Sequence, residues 1–328
     1  MAQYPELAQL TDLQPACRVV HGGRLAADRD QAAFSLIAPE AGPLPVLIAV
    51  PHGGRAYVDE LLTRMRAPEM CQLRLEDRHV DALGIAAAKQ TGAGLLVAHA
   101  PRAMLDLNRA PSDIDWDMIE GARLAWPSLA LSDSSGQANH RARSGLGLVP
   151  RRLPGHGEIW RSRLPRAELE RRIADIHEPY HAALGQELRR IRDQWGAALL
   201  IDLHSMPPLG VRAGGEPAPV AVLGDRFGAS CHHALMRRGL DVLASEGLGA
   251  AQNRPYSGGY VLDRHGRPDS GIHAIQVELC RSLYLDDDFA ALSAGAAVLS
   301  AVLACLVNEL GRETAALGQA RGLLEAAE

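Results

Sequence analysis

Two histidines, one glutamate and a group of arginines stand where a chain of this kind can do chemistry. His52 follows the apolar run PVLIAV (residues 45–50) and opens the turn HGGR. His204 lies in LLIDLHSMPP (199–208), Glu278 and Arg281 close IHAIQVELCR (272–281), and Arg102 and Arg109 flank PRAMLDLNRA (101–110). Two neutral imidazoles and a carboxylate can hold zinc tetrahedrally and leave the fourth position for water, the usual form of a catalytic zinc site. Zinc brings a water's pKa toward ~7, and a neighbouring carboxylate can take its proton during attack on a carbonyl. Arginines supply what remains, stabilising a tetrahedral oxyanion and gripping a substrate carboxylate in two-point contacts.

Each of these residues follows a short apolar run, and such runs have to be placed in a fold. PVLIAV, GLLVA (94–98), LLI (199–201) and IHAIQVEL (272–279) lack polar alternation, which predicts strands buried on both faces of an α/β sheet. Ligands in open α/β sheets collect at the carboxyl ends of strands, where these histidines and Glu278 are expected. Helices are predicted over 58–65, 76–90, 166–195 (bent, if anywhere, near Pro179), 231–245, 287–311 and 313–327. Asp77 and Asp81 are four apart and share one face of the second. Residues 1–44 read as irregular. Residues 111–165, rich in Gly, Arg, Ser and Pro, read as a cover over the site and not as a second domain.

The tempting residues elsewhere are given plainer roles. Ser205 is a hydrogen-bonding neighbour of His204, since no G-x-S-x-G turn is present. His232 and His233 open a helix and are expected to cap it or meet solvent. Asp202 either orients a ligand or ends its strand. The glycine pairs 53–54 and 258–259 form no nucleotide-binding pattern.

Composition narrows the class. The chain has 328 residues, 47% hydrophobic and 22% charged, with a net charge of −5. That describes a globular protein with no basic field for nucleic acid. The five cysteines are far apart and never in a C-x-x-C pair, so neither a disulfide framework nor a cysteine zinc site is predicted. No stretch approaches ~18 uninterrupted apolar residues, and the amino terminus has no signal-like h-region. The expected location is cytoplasmic, with no membrane or nucleic-acid partner; the oligomeric state is left open.

VPHGGR, EDRHVD, PRAMLDLNRAPSD, HEPYHAAL, LLIDLHSMPP, VLGDRFGASC, NRPYSGGYVLDRHGRP and AIQVELCRSLYLD together resemble the N-formylglutamate amidohydrolases, in that family's order, from Val50 to Asp286. The family is similar in turn to zinc carboxypeptidases and aspartoacylases. The resemblance implies a single three-layer α/β/α domain with a mixed sheet of phosphorylase/hydrolase type. It implies a zinc-dependent hydrolase of linear amide C–N bonds, most simply one converting N-formyl-L-glutamate and water to formate and L-glutamate, in histidine degradation. The alternatives are a related N-acyl amino acid deacylase or carboxypeptidase-like hydrolase, and a non-catalytic protein that binds acidic amino acids. One Zn2+ per chain is expected, with other divalent metals possible.

Carried over by position, His52 and His204 resemble zinc ligands. Carboxypeptidases place a glutamate three residues after the first ligand, where this chain has Arg55, which cannot ligate. The D-x-x-V-D pattern offers Asp77 instead, with Asp81 or Glu76 as alternatives. Asn108 and Arg109 resemble residues that hold a substrate α-carboxylate, and Arg102 one that polarises the scissile carbonyl. Glu278 resembles the general base that later serves as acid, and Arg254 and Arg281 are placed on the glutamate side chain.

Overall fold

A computed structural model of the chain describes residues 17–26, 31–121, 142–210 and 217–325. Eight strands form one sheet: β1 (Cys17–Gly22), β2 (Phe34–Pro39), β3 (Val46–Val50), β4 (Gly94–Ala98), β7 (Ala198–Met206), β8 (Ala221–Gly224), β9 (Ala250–Gln252) and β10 (Ile272–Cys280). Their order is β1-β2-β4-β3-β7-β10-β8-β9. β5 (Arg152–Leu153) and β6 (Gly157–Glu158) make a separate ribbon. The central run β4-β3-β7-β10 is parallel, while β1, β2 and β8 pair antiparallel with their inner neighbours. The sheet is therefore mixed.

The apolar runs are covered on both faces, as their lack of alternation requires. One face collects Leu47, Ala49, Leu96, Ala198, Leu200 and Ala274 against Tyr180, Leu184 and Leu188 of the long helix α5 (Glu178–Trp195). The other collects Ile48, Val50, Leu199, Ile201, Leu203 and Val277 against α3 (Val80–Thr91), α6 (His233–Ser245) and α8 (Gly295–Glu325). The result is three layers, α/β/α. Each fully buried Leu or Ile removes enough apolar surface from water to be worth about 1.5–3 kcal/mol, so the two faces carry most of the fold's stability. The remaining helices are short: α1 (Asp59–Arg64), α2 (Pro68–Leu75), α4 (Arg166–Arg172) and α7 (Tyr260–His265).

Several expectations are corrected here. β1 and β2 occupy part of the stretch read as irregular. β7 and β10 run on through the polar residues, so Asp202, His204 and Glu278 lie within strands and not beyond their ends. The predicted helix over 76–90 begins only at Val80, leaving Asp77 in the preceding turn. The two predicted carboxyl-terminal helices are one, α8. Gly311 is no terminator, because a Cβ there would lie 3.0 Å from Leu44 Cδ2, a close approach that the missing side chain permits. Part of α8, residues 295–323, is long and apolar enough to cross a membrane, and half of its most apolar part is buried in this fold.

Just before Pro179, where a bend is expected, a π-turn, residues 173–177, separates α4 from α5. A proline cannot donate to the carbonyl four residues earlier and crowds it. That carbonyl, on Asp175, accepts instead from the Arg24 backbone N–H at 2.9 Å. Of the region read as a cover, residues 122–141 lie outside the described residues. Its described parts pack on the 106–118 segment, with Leu148 accepting from the Asp106 N–H and Arg151 paired to Asp115.

Candidate active site

The pleat of two adjacent parallel strands sets the centre of the site. On β7 the face that carries Ala198 and Leu200 continues into Asp202 and His204, since alternate residues share a face. On β10 the same face carries Ile272 and Ala274, then Gln276 and Glu278. The register sets Gln276 beside Asp202 and Glu278 beside His204. A slip of one residue in either strand would turn that strand's polar pair into the opposite core. The turn after β3 brings in His52, and the turn before α3 brings in Asp77, whose N–H donates to the His52 carbonyl at 3.0 Å.

His52 and His204 meet edge to face, with ring centroids 4.7 Å apart. His204 donates from Nε2 to Asp202 at 2.9 Å, and His52 from Nε2 to Asp106 at 2.8 Å. A carboxylate on each Nε2 fixes the tautomer and turns both Nδ1 lone pairs inward. They converge on one oxygen of Asp77, 3.0 Å from His204 Nδ1 and 3.6 Å from His52 Nδ1. Potential ligand atoms of His52, Asp77 and His204 lie within 4.8 Å of one another, and all three residues are buried. His52 Nδ1 has no hydrogen-bond partner among the described residues. Two inward lone pairs facing a carboxylate repel unless a cation or proton lies between them, so this donor set fits a divalent metal.

The protonation tendencies agree with that fit. Burial opposes ionisation of Asp77, but the two imidazoles outweigh it and hold its carboxyl well below the usual range. Burial likewise opposes the His204 imidazolium, and the carboxylates of Asp202 and Asp77 overcome it, holding His204 well above its ordinary value. Asp106 is kept ionised despite burial by Arg102, His52 and Arg109. Glu278 behaves oppositely: burial, reinforced by Asp77, pushes it up to about 7 against the pull of His204 and Arg102. A carboxyl at that value is poised to exchange protons near neutrality. One of its oxygens accepts from Gln276 Nε2 at 2.8 Å.

The arginines divide. Arg102 donates from Nε to Asp106 at 2.9 Å, and its terminal nitrogens have no hydrogen-bond partner among the described residues. Arg109 is buried and donates to the carbonyls of Leu146 and Asn108, at 3.0 and 2.8 Å. Asn108 accepts from the Val261 N–H and donates to Gln276, which leaves one amide N–H. Arg281, expected on the substrate, is placed otherwise. It is buried and donates to Asp77, Ser205 and the carbonyls of Leu73 and Glu76, so it fixes the candidate ligand Asp77. Arg254 is exposed and lines a cavity of about 820 Å3 with Asp225, Phe227 and His233. That cavity lacks the His–Asp–His cluster, and the concentration of perturbed acids and imidazoles makes the cluster, not this hollow, the candidate reactive place.

The alternatives to Asp77 are occupied or turned away. Asp81 makes a two-point ion pair with Arg55 at 2.9 and 2.8 Å, and Glu76 lies 3.3 Å from Arg78. Sequence reasoning did not single out Asp106 or Gln276. The D-x-H spacing of Asp202 and His204 gave one signal, because residues two apart on a strand face the same way. No comparable spacing links Asp106 to His52, since that contact joins separate loops. His232 caps α6, accepting from the Ala234 N–H.

A mixed-sheet α/β/α fold with a buried, carboxylate-braced His–Asp–His cluster defines a hydrolase-like protein with a candidate metal centre. A family model described as N-formylglutamate amidohydrolase matches residues 44–285, and the chain belongs to that family. It is similar to the N-formylglutamate deformylase of Pseudomonas aeruginosa, 30% identical over 284 residues, covering 85% of this chain and 96% of that protein. It is also similar to the enzyme of the same name from Pseudomonas putida, 32% identical over 247 residues, covering 75% of this chain and 84% of that one. The crystal structure of an N-formylglutamate amidohydrolase from Ralstonia eutropha JMP134 superposes with a TM-score of 0.74 at 32% identity, covering 86% of this chain and 98% of that chain.

Proposed function

We propose that the chain is a metal-dependent amidohydrolase that converts N-formyl-L-glutamate and water to formate and L-glutamate. One observation carries the mechanism: both inward Nδ1 atoms and Asp77 share a buried point, and Glu278 stands beside His204 on the next strand with its carboxyl pushed up to about 7. The names of the similar enzymes supply the substrate. His52, Asp77 and His204 would hold the ion, with zinc as the first choice for two imidazoles and a carboxylate, though other first-row divalent ions suit the same donors. A bound ion of this kind polarises the formyl carbonyl and acidifies water.

The chain's own residues do the rest. Glu278 takes the proton of the attacking water and returns it to the departing amide nitrogen, so that the C–N bond breaks to formic acid and amine. Arg102 directs its free terminal N–H groups at the oxyanion as charge develops there. Asn108 and Arg109 hold the α-carboxylate, and Arg254, on an exposed turn, meets the side-chain carboxylate. The described residues within 111–165 would act as a cover in a single catalytic domain.

The test is a hydrolysis assay after metal reconstitution, with formyl, acetyl and formimino derivatives of glutamate and aspartate. Hydrolysis of N-formylglutamate to formate, faster than hydrolysis of every other derivative and abolished by chelation, is expected. Preference for another acyl group would make the chain a different deacylase. Tight binding of glutamate with no turnover and no stoichiometric metal would make it a binding protein.

A further inference from the structure

Three histidines lie outside the cluster, buried, on the far side of the loop that carries Asp106, Asn108 and Arg109. His177 and His181 are four apart across the π-turn and the start of α5, a spacing that puts both on one helical face. His181 Nε2 bonds the Leu107 carbonyl at 3.0 Å, and His177 Nε2 bonds the Arg109 carbonyl at 2.9 Å. A carbonyl only accepts, so both rings must carry hydrogen on Nε2. His181 Nδ1 is then an acceptor, and its partner, His265 Nε2 at 3.0 Å, must be the donor. For neutral rings the hydrogen bonds therefore fix the direction of the chain, from His265 through His181 to Leu107. Burial, together with neighbouring cations, keeps all three rings neutral, which the directed chain requires.

His265 is the last residue of α7, and α7 touches the same loop at its other end. The Val261 N–H donates to Asn108 Oδ1 at 3.0 Å. Gly259 makes that approach possible, since a Cβ there would lie 2.5 Å from Asn108 Oδ1. The Tyr260 ring lies beside both helix histidines, with centroids 5.6 Å from His177 and 5.2 Å from His181.

We infer that His177, His181 and His265 form a brace that holds the backbone of residues 107–109 between α5 and α7, making His181 a positioning residue for Asn108 and Arg109. The effect on catalysis rests on the substrate reading given above, whereas the effect on the loop does not. Asp106 is anchored separately by Arg102 and by its N–H bond to Leu148, so the brace acts on substrate binding and not on the metal.

The test compares His181→Leu with His181→Gln, whose amide can still donate to the Leu107 carbonyl. Amide hydrogen exchange and steady-state kinetics are measured on the full-length, metal-loaded protein. In the Leu variant, backbone exchange over residues 105–110 should quicken by about tenfold or more, the effect of one lost buried hydrogen bond, while β7 and β10 keep wild-type protection. KM should rise by a similar factor with kcat and metal content kept, and the Gln variant should recover most of both. Unchanged exchange at 105–110 in a folded Leu variant would overturn the brace, as would equal damage from Leu and Gln. Faster local exchange in a protein that does not hydrolyse N-formylglutamate would uphold the brace and refute the substrate instead. Should His181→Leu not fold, His265→Phe removes the relayed N–H while keeping a ring, and is read by the same two measurements.

Discussion

Glu278→Gln separates the chemistry from the metal centre, because it keeps the volume of a buried side chain and removes only its basicity. The substituted amide would still accept from Gln276 through its carbonyl oxygen, so the hydrogen bond at 2.8 Å survives and the register of β10 against β7 is not disturbed. The loss therefore falls on proton transfer. General acid–base groups contribute about 100- to 10,000-fold, equivalent to roughly 3–5 kcal/mol of barrier, and kcat should fall by that much with metal content and KM nearly unchanged. A second readout follows from the carboxyl's position at about 7. The base works only when ionised, so wild-type kcat/KM should fall as pH drops through that value, or through a lower one where a bound cation stabilises the carboxylate. That limb should vanish in the variant. In the metal-free protein the raised value has a stability counterpart. Its contribution is present below the ordinary value of 4.5 and is lost as pH rises through about 7, so the Gln variant should gain up to roughly 3 kcal/mol on wild type by about pH 8. Stoichiometric metal is measured by elemental analysis and turnover by formate release. Near-normal turnover would make Glu278 a structural residue, and loss of metal would make it a ligand.

Three further outcomes are expected. His52→Ala or His204→Ala should strip most bound metal yet leave a folded chain, with a cost of about 1–3 kcal/mol where Asp106 or Asp202 loses its imidazole; unchanged metal content in both would remove them as ligands. Arg281→Met should weaken metal binding by about 10- to 100-fold, because Asp77 loses a buried donor, and should leave KM for substrate unaltered at saturating metal; the reverse pattern would return Arg281 to the substrate. Arg109→Lys should raise KM more than it lowers kcat, since an ammonium cannot reproduce a planar two-point grip or span both carbonyls that Arg109 now holds; wild-type kinetics would take Arg109 out of the site.

The parts of the fold that read well in sequence are those governed by local pattern. Runs such as LLI and VLIAV announce strands covered on both faces, and a histidine at the end of such a run is already near the right place. The edge strand β1 did not announce itself, because it mixes half-buried and exposed residues and gains its identity from pairing with β2. Asp77, preferred as the ligand, and its alternative Asp81 read as four residues apart on one face of one helix. They part because the helix starts only after His79, which adopts a left-handed conformation (φ 58°) and turns Asp77 inward while Arg55 claims Asp81. Arg281 was legible as a strand-end cation. Its orientation toward Asp77 depends on packing against α2 and the turn after it, which no local spacing encodes.

His204 and Glu278 stand within β7 and β10, whereas Arg254, proposed to meet the substrate's side-chain carboxylate, lies on an exposed turn, and this gives the two parts of the proposed site different thermal lives. Central strands open only with global unfolding, whereas turns open locally at far lower free energy. On warming, that turn should loosen while Glu278 and His204 still stand side by side on the sheet, so that KM climbs well before kcat collapses. An enzyme built this way would stop recognising its substrate before it lost the machinery to cleave it, and mutations that adapt it to heat would accumulate in the exposed turns and leave the sheet alone.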